Sequence, residues 1–160
     1  MGYAFSHAIN VQHSINSKEL MVPYVVYWQG EQATPVPYPA LTQKEALENA
    51  HAARAQKENE ITGWSSGREG FITQSDGSSV DTILIDGWIS NLSPPLEMFV
   101  YLKKEPFRLI KGFMWKTHPQ ARKDSHAFMT EFKRGILNQP FGLQCLEYVE
   151  QSESIKFSGT

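Results

Sequence analysis

Tyr3, Phe5, His7, Ile9, Val11, His13 and Ile15 occupy every second position from 3 to 15, with Ala, Ser, Asn and Gln between them. A period of two marks a strand with one buried face, so the pattern predicts that the chain opens on a long strand. Ala4, Ala8, Val11 and Ile15 would share a helical face, but a helix would set Phe5 and Ile9 on another side. Leu20 to Gln29 reads as the second strand, with Pro23 at an edge or a start because proline has no N–H for a ladder. Pro35, Pro37 and Pro39 alternate with other residues from Thr34 to Ala40, which predicts a stiff, extended connector.

Thr42-Gln43-Lys44-Glu45 has the form of a capping box, in which the Thr42 hydroxyl accepts from the Glu45 N–H and the Glu45 side chain reaches back. A helix follows through Ala46, Leu47, Ala50, Ala53 and Ala55, with Gly63 as its stop. Trp64 to Gly70 reads as a loop. Phe71 to Ser75 and Val80 to Ile89 flank Asp76-Gly77 as a hairpin, and Asn91 to Pro95 is a second break. Met98 to Lys103 and Phe107 to Lys116 flank Glu105-Pro106 as another hairpin. Pro119 through Ile136 carries a second amphipathic helix, closed by Gly135 to Pro140, and Leu143 to Val149 reads as a last strand. The expected fold is α+β: a mainly antiparallel sheet of about six to seven strands with two principal helices packed on it.

A length of 160 residues suits one core, so residues 1–150 are expected to form a single domain and 151–160 a polar tail. Hydrophobic residues at 41% and charged residues at 20% are ordinary globular values and argue against global disorder. The single cysteine, Cys145, rules out an intrachain disulfide and, among Leu143, Leu146 and Val149, is expected to be an apolar filler. No basic leader with an apolar run opens the chain and no long apolar span follows, so a soluble, cytoplasmic protein without membrane contact is expected.

Charge changes the picture more than composition does. The net charge of −2 conceals a segment, Glu97 to Arg134, with nine Lys and Arg against four Asp and Glu, a balance of +5 that leaves −7 for the rest. Lys103, Lys104, Arg108, Arg122 and Lys123 lie in this segment among Tyr101, Phe107, Phe113, Trp115 and Phe128, a mixture that suits attraction to phosphate and stacking on bases. His118, Arg122 and His126 are spaced four apart and would form a stripe on the second helix able to meet a carboxylate or phosphate.

Candidate chemistry is sparse. His7 and His13, six residues apart on a strand, would be separated by about 20 Å, and His118 and His126 by about 12 Å along a helix, too far to share an ion. Asp81 and Asp86 bracket an apolar run and would lie about 17 Å apart, so they are no acid/base pair, and Asp86-Gly87 has turn chemistry. Ser66-Gly67-Arg68-Glu69-Gly70 could cradle an anion but matches no phosphate-binding loop. Neither a metal site nor a cofactor motif is readable, and the catalytic residues are unknown.

The composition and charge pattern point to a non-catalytic protein-binding domain, such as an inhibitor, immunity-type or adaptor protein that uses a charged face. Its candidate binding residues are Lys103, Lys104, Arg108, His118, Arg122, Lys123 and His126. Nucleic-acid or polyanion binding through residues 97–134 is the alternative. A small enzyme is the third, with Asp86, His118, Arg122 and Tyr101 as its candidate residues if they converge.

Overall fold

The computed structural model describes residues 1–15, 19–89, 96–111 and 125–154. In chain order they form α1 (Gly2–Ser14), β1 (Tyr24–Gln29), β2 (Gln32–Pro37), α2 (Gln43–Lys57), β3 (Gly63–Thr73), β4 (Ser79–Ile89), β5 (Leu96–Lys103), β6 (Arg108–Lys111), α3 (Ser125–Leu137), α4 (Gly142–Glu150) and β7 (Glu153–Ser154). The strands make one open sheet in the order β2-β1-β3-β4-β5-β6-β7, antiparallel throughout except for the β6–β7 pair. The chain is therefore an α+β fold on a mostly antiparallel sheet, with four helices among the described residues where two principal ones were expected. No helix among the described residues is long and apolar enough to cross a membrane.

Residues 2–14 are helical, not extended. Ala4, Phe5, Ser6, Ala8 and Ile9 are all buried, because α1 lies against β3 and β4 on one side and against α3 and α4 on the other. A helix enclosed from several sides carries no single apolar stripe, which is why the every-second-residue pattern misleads there. Residues 143–149 are also helical. Gly142, Cys145 and Val149 face inward at helical spacing while Leu143 is exposed, and the Ser6 hydroxyl donates to the Cys145 sulfur at 3.3 Å.

The Thr42 cap forms as expected, its hydroxyl accepting from the Glu45 N–H at 3.2 Å, but α2 ends at Lys57, well short of Gly63. Asp76-Gly77 turns the β3–β4 hairpin, with Gly77 at φ 84° and the Asp76 carboxylate accepting from the Ser78 N–H at 2.9 Å. The proline-rich connector is an edge strand through Pro37. Tyr38 donates its N–H inward to the Pro23 carbonyl, so positions 35 and 37 point their nitrogens outward, where proline has no N–H to offer. The outer edge is thereby blunted against addition of another strand.

Trp64 to Gly70, expected as a loop, is the middle of the sheet, because β1 pairs with it on one side and β4 on the other. Gly67 lies opposite Tyr24, and the Tyr24 ring crosses the space where a Cβ would stand, within 2.4 Å of its hydroxyl oxygen and 2.5 Å of Cζ. That ring is 3% exposed, and its hydroxyl donates to the Ala4 carbonyl, holding α1 on the sheet. Gly67→Ala should therefore displace a packed tyrosine and cost roughly 1–3 kcal/mol, read from urea unfolding. The same variant on a Tyr24→Ala background should cost much less, and equal losses in both backgrounds would refute the steric account.

Candidate functional site

Two faces of the sheet differ in what they carry. Tyr24, Val26, Ile83, Ile85, Leu102 and Leu109 join α1, α3 and α4 in the main core, whereas Val25, Tyr27 and Ala50 form a smaller core under α2. On this second face the register sets Trp64 beside Trp88, Ser66 beside Asp86, and Arg68 beside Leu84, which in turn neighbours Tyr101. Trp64, Arg68, Leu84, Trp88 and Tyr101 are half-buried.

Helix α2 turns Ala46, Ala50 and Arg54 inward at i, i+4 and i+8. Arg54 reaches from this buried stripe to the sheet and lies across it. Its side chain is 9% exposed, its Cζ stacks 4.0 Å over the Trp64 ring, and its Nη1 stands 3.8 Å from Asp86 Oδ2. Asp86 Oδ1 accepts from the Ser66 hydroxyl, and both residues are buried. His51, one turn earlier on α2 and exposed, turns its ring nitrogens to Arg54 Nη2. Tyr27 and Tyr38 join their hydroxyls at 2.6 Å nearby, and Lys57 Nζ lies 5.5 Å from the Tyr27 ring centre.

Burial, ahead of the opposing pull of Asp86, holds the Arg54 guanidinium below its ordinary value, yet an arginine remains charged at neutral pH. His51 is pushed below the usual imidazole range, first by desolvation and then by Arg54, against Asp86. It is therefore neutral at pH 7. Arg54, Arg68 and Asp86 then leave the cluster with one positive charge in excess.

Arg54 Nη1 is buried and makes no hydrogen bond. A guanidinium carries five N–H donors, and one left without an acceptor away from water costs about 1–3 kcal/mol. Ser66 cannot act with His51 as a nucleophile and base, since the imidazole addresses Arg54 and Ser66 already donates to Asp86. The arrangement can hold a negative group and pack against apolar ones.

The basic residues expected from the sequence lie elsewhere. Lys103 is paired with Glu153 at 3.0 Å and Lys104 with the buried Glu69 at 2.8 Å. Arg108 is half-buried on β6, with its Nε buried and making no hydrogen bond. His126 belongs to the first turn of α3, while His118, Arg122 and Lys123 fall outside the described residues, as do the expected break at 91–95 and most of the basic segment beyond Lys111. Of the enzyme candidates, Asp86 and Tyr101 share the α2 face of the sheet.

Asp86 lies within β4 and Asp86-Gly87 is no turn. Asp81, five positions earlier on the same strand, is exposed on the opposite face. His7 and His13 sit on α1, about 9 Å apart along its axis rather than the 20 Å a strand would give. Among the described residues no three His, Cys, Asp or Glu side chains come together as a metal cluster would require.

Arg54 and His51 were not singled out by sequence, whereas Ser66 and Arg68 were, as part of the 66–70 segment that could cradle an anion. The available signal was the stripe Ala46, Ala50, Arg54, in which an arginine continues a small-residue helical face; its partner Asp86 lies on another element and could not be paired with it from spacing. No protein-family model matches the chain, and neither a curated protein nor a solved structure matches it.

Proposed function

We propose that this chain is a non-catalytic binding domain that engages a protein partner on the α2 face of its sheet. The supporting observation is the set Trp64, Arg68, Leu84, Trp88 and Tyr101, half-buried and gathered by register onto neighbouring strands. Aromatic residues and arginine are the types that anchor protein interfaces, because they bury large area while keeping a polar edge for specific bonds. In the adjacent polar cluster the Ser66 hydroxyl is engaged by Asp86, whose other oxygen faces Arg54, an arrangement that favours holding a charged group.

The polyanion reading draws less support from the described residues. Lys103 and Lys104 already face carboxylates, and a phosphate contact would have to displace them.

A photoreactive phenylalanine analogue placed at Leu84 or Tyr101, expressed in the native host, tests the proposal. Both positions are expected to give the same discrete protein adduct, and the exposed Lys44 on α2 to give none. The purified partner should then form a 1:1 complex that Trp88→Ala weakens about tenfold or more. No adduct at either position, or the same adduct from Lys44, would overturn the proposal.

A further inference from the structure

Within that binding reading, on which this step rests, the polar cluster specifies what the partner presents. Arg54 is nine-tenths buried over the Trp64 ring, and it faces a single carboxylate at 3.8 Å. Asp86 is shared, since its other oxygen serves Ser66. Arg68 stands on the same sheet face one side-chain position beyond Ser66, close enough to act electrostatically on both Arg54 and His51. Two guanidinium groups thus stand against one carboxylate, and Nη1 of the buried one has no acceptor.

We infer that Arg54 and Arg68 receive a carboxylate from an acidic segment of a protein partner, laid across Leu84, Trp88 and Tyr101 beside α2. A second carboxylate would bring the local charge to zero, and it would meet the Arg54 guanidinium through Nη2, on the side of the exposed His51, since Nη1 is buried. Planar guanidinium groups match carboxylates two bonds at a time, which gives direction as well as attraction. The floor of aromatic and aliphatic side chains suits the rest of a peptide better than a chain of phosphates, and this decides between two anions that the arginines alone could accept. His51, exposed and neutral, covers Nη2 and is the group that has to turn aside on docking.

Titration of the whole chain with fluorescein-labelled hexaglutamate, with hexalysine and with inorganic phosphate tests the inference. Hexaglutamate should bind saturably and weaken as salt is added, and hexalysine should not bind. Arg68→Gln, at a half-exposed position that leaves the fold intact, should weaken hexaglutamate about tenfold or more, as should Arg54→Lys, which keeps the charge but loses the planar fork. Lys44→Gln, on the outer side of α2, should leave the affinity within about twofold.

Equal hexaglutamate binding by wild type, Arg68→Gln and Arg54→Lys would overturn the inference. So would phosphate that saturates the site with the same sensitivity to these variants, since that marks a phosphate site. A persisting photo-adduct at Tyr101 with unchanged hexaglutamate binding in Arg68→Gln would sink this inference alone. Loss of the adduct, with hexaglutamate still dependent on Arg68, would sink the protein-docking reading and leave the carboxylate site.

Discussion

Glu69→Ala is expected to destabilise the protein by on the order of 3–5 kcal/mol, visible as a lower urea midpoint at pH 7. Glu69 is 7% exposed and its carboxylate is the meeting point of three segments of chain: α1, the approach to β1 and the turn after β5. It accepts from the Gln12 side chain of α1, from the Met21 N–H at 2.7 Å and from Lys104 Nζ at 2.8 Å. Alanine would leave the Met21 amide and a lysine that is only 18% exposed without their acceptor, and the cost is mainly that of stranding those groups. Glu69→Gln keeps the shape and an acceptor for Met21 while losing the charge, so its loss should be smaller. Glu69→Leu combined with Lys104→Met removes both charges and should recover part of the stability lost by Glu69→Ala. A double variant no better than the single one would show that the contacts of Glu69 to α1 and Met21, not the ion pair, carry the effect.

The elements that were legible are those whose cause is local. The Thr42 cap and the Asp76-Gly77 turn each lie within four residues of chain, and both stand where their chemistry puts them. The antiparallel sheet follows from such turns joining short apolar runs. What failed was any segment whose environment is set from far away. Ser65, Ser66 and Gly67 have weak strand preference, yet pairing on both sides makes them the sheet's centre, with Gly67 yielding room to a tyrosine from β1. Leu143 to Val149 alternates well enough for a strand, but its burial at 142, 145 and 149 follows a helix docked beside α3.

The candidate site shows the same division. Asp86 drew notice because a carboxylate beside Ile83, Leu84 and Ile85 is conspicuous, whereas Arg54 lies 32 positions away and inside what reads as an ordinary charged helix. Lys103 and Lys104 stood out as part of a basic run, but Glu69 and Glu153, at separations of 35 and 50 residues, are what they meet. Net charge along a segment therefore describes a field and does not reveal which cations are already neutralised.

Phe5→Ala should produce a loss of comparable size to Glu69→Ala, roughly 3–5 kcal/mol, through a cavity rather than a stranded charge. The Phe5 side chain is completely buried and meets the ring of Phe132 edge to face, with centroids 5.3 Å apart and planes at 68°. Phe5→Leu and Phe132→Leu should couple by about 0.5–1.5 kcal/mol in a double-mutant cycle, the value of an aromatic pair beyond its buried area. A strand from 3 to 15 would put His13 on the face of Phe5, so truncating either would hurt. On the helix His13 is exposed and keeps one ring contact, edge to face on Phe107 at 5.2 Å, so His13→Ala should cost no more than about 1.5 kcal/mol. A His13→Ala loss approaching that of Phe5→Ala would show His13 packed as a core residue and overturn its placement at the exposed end of α1.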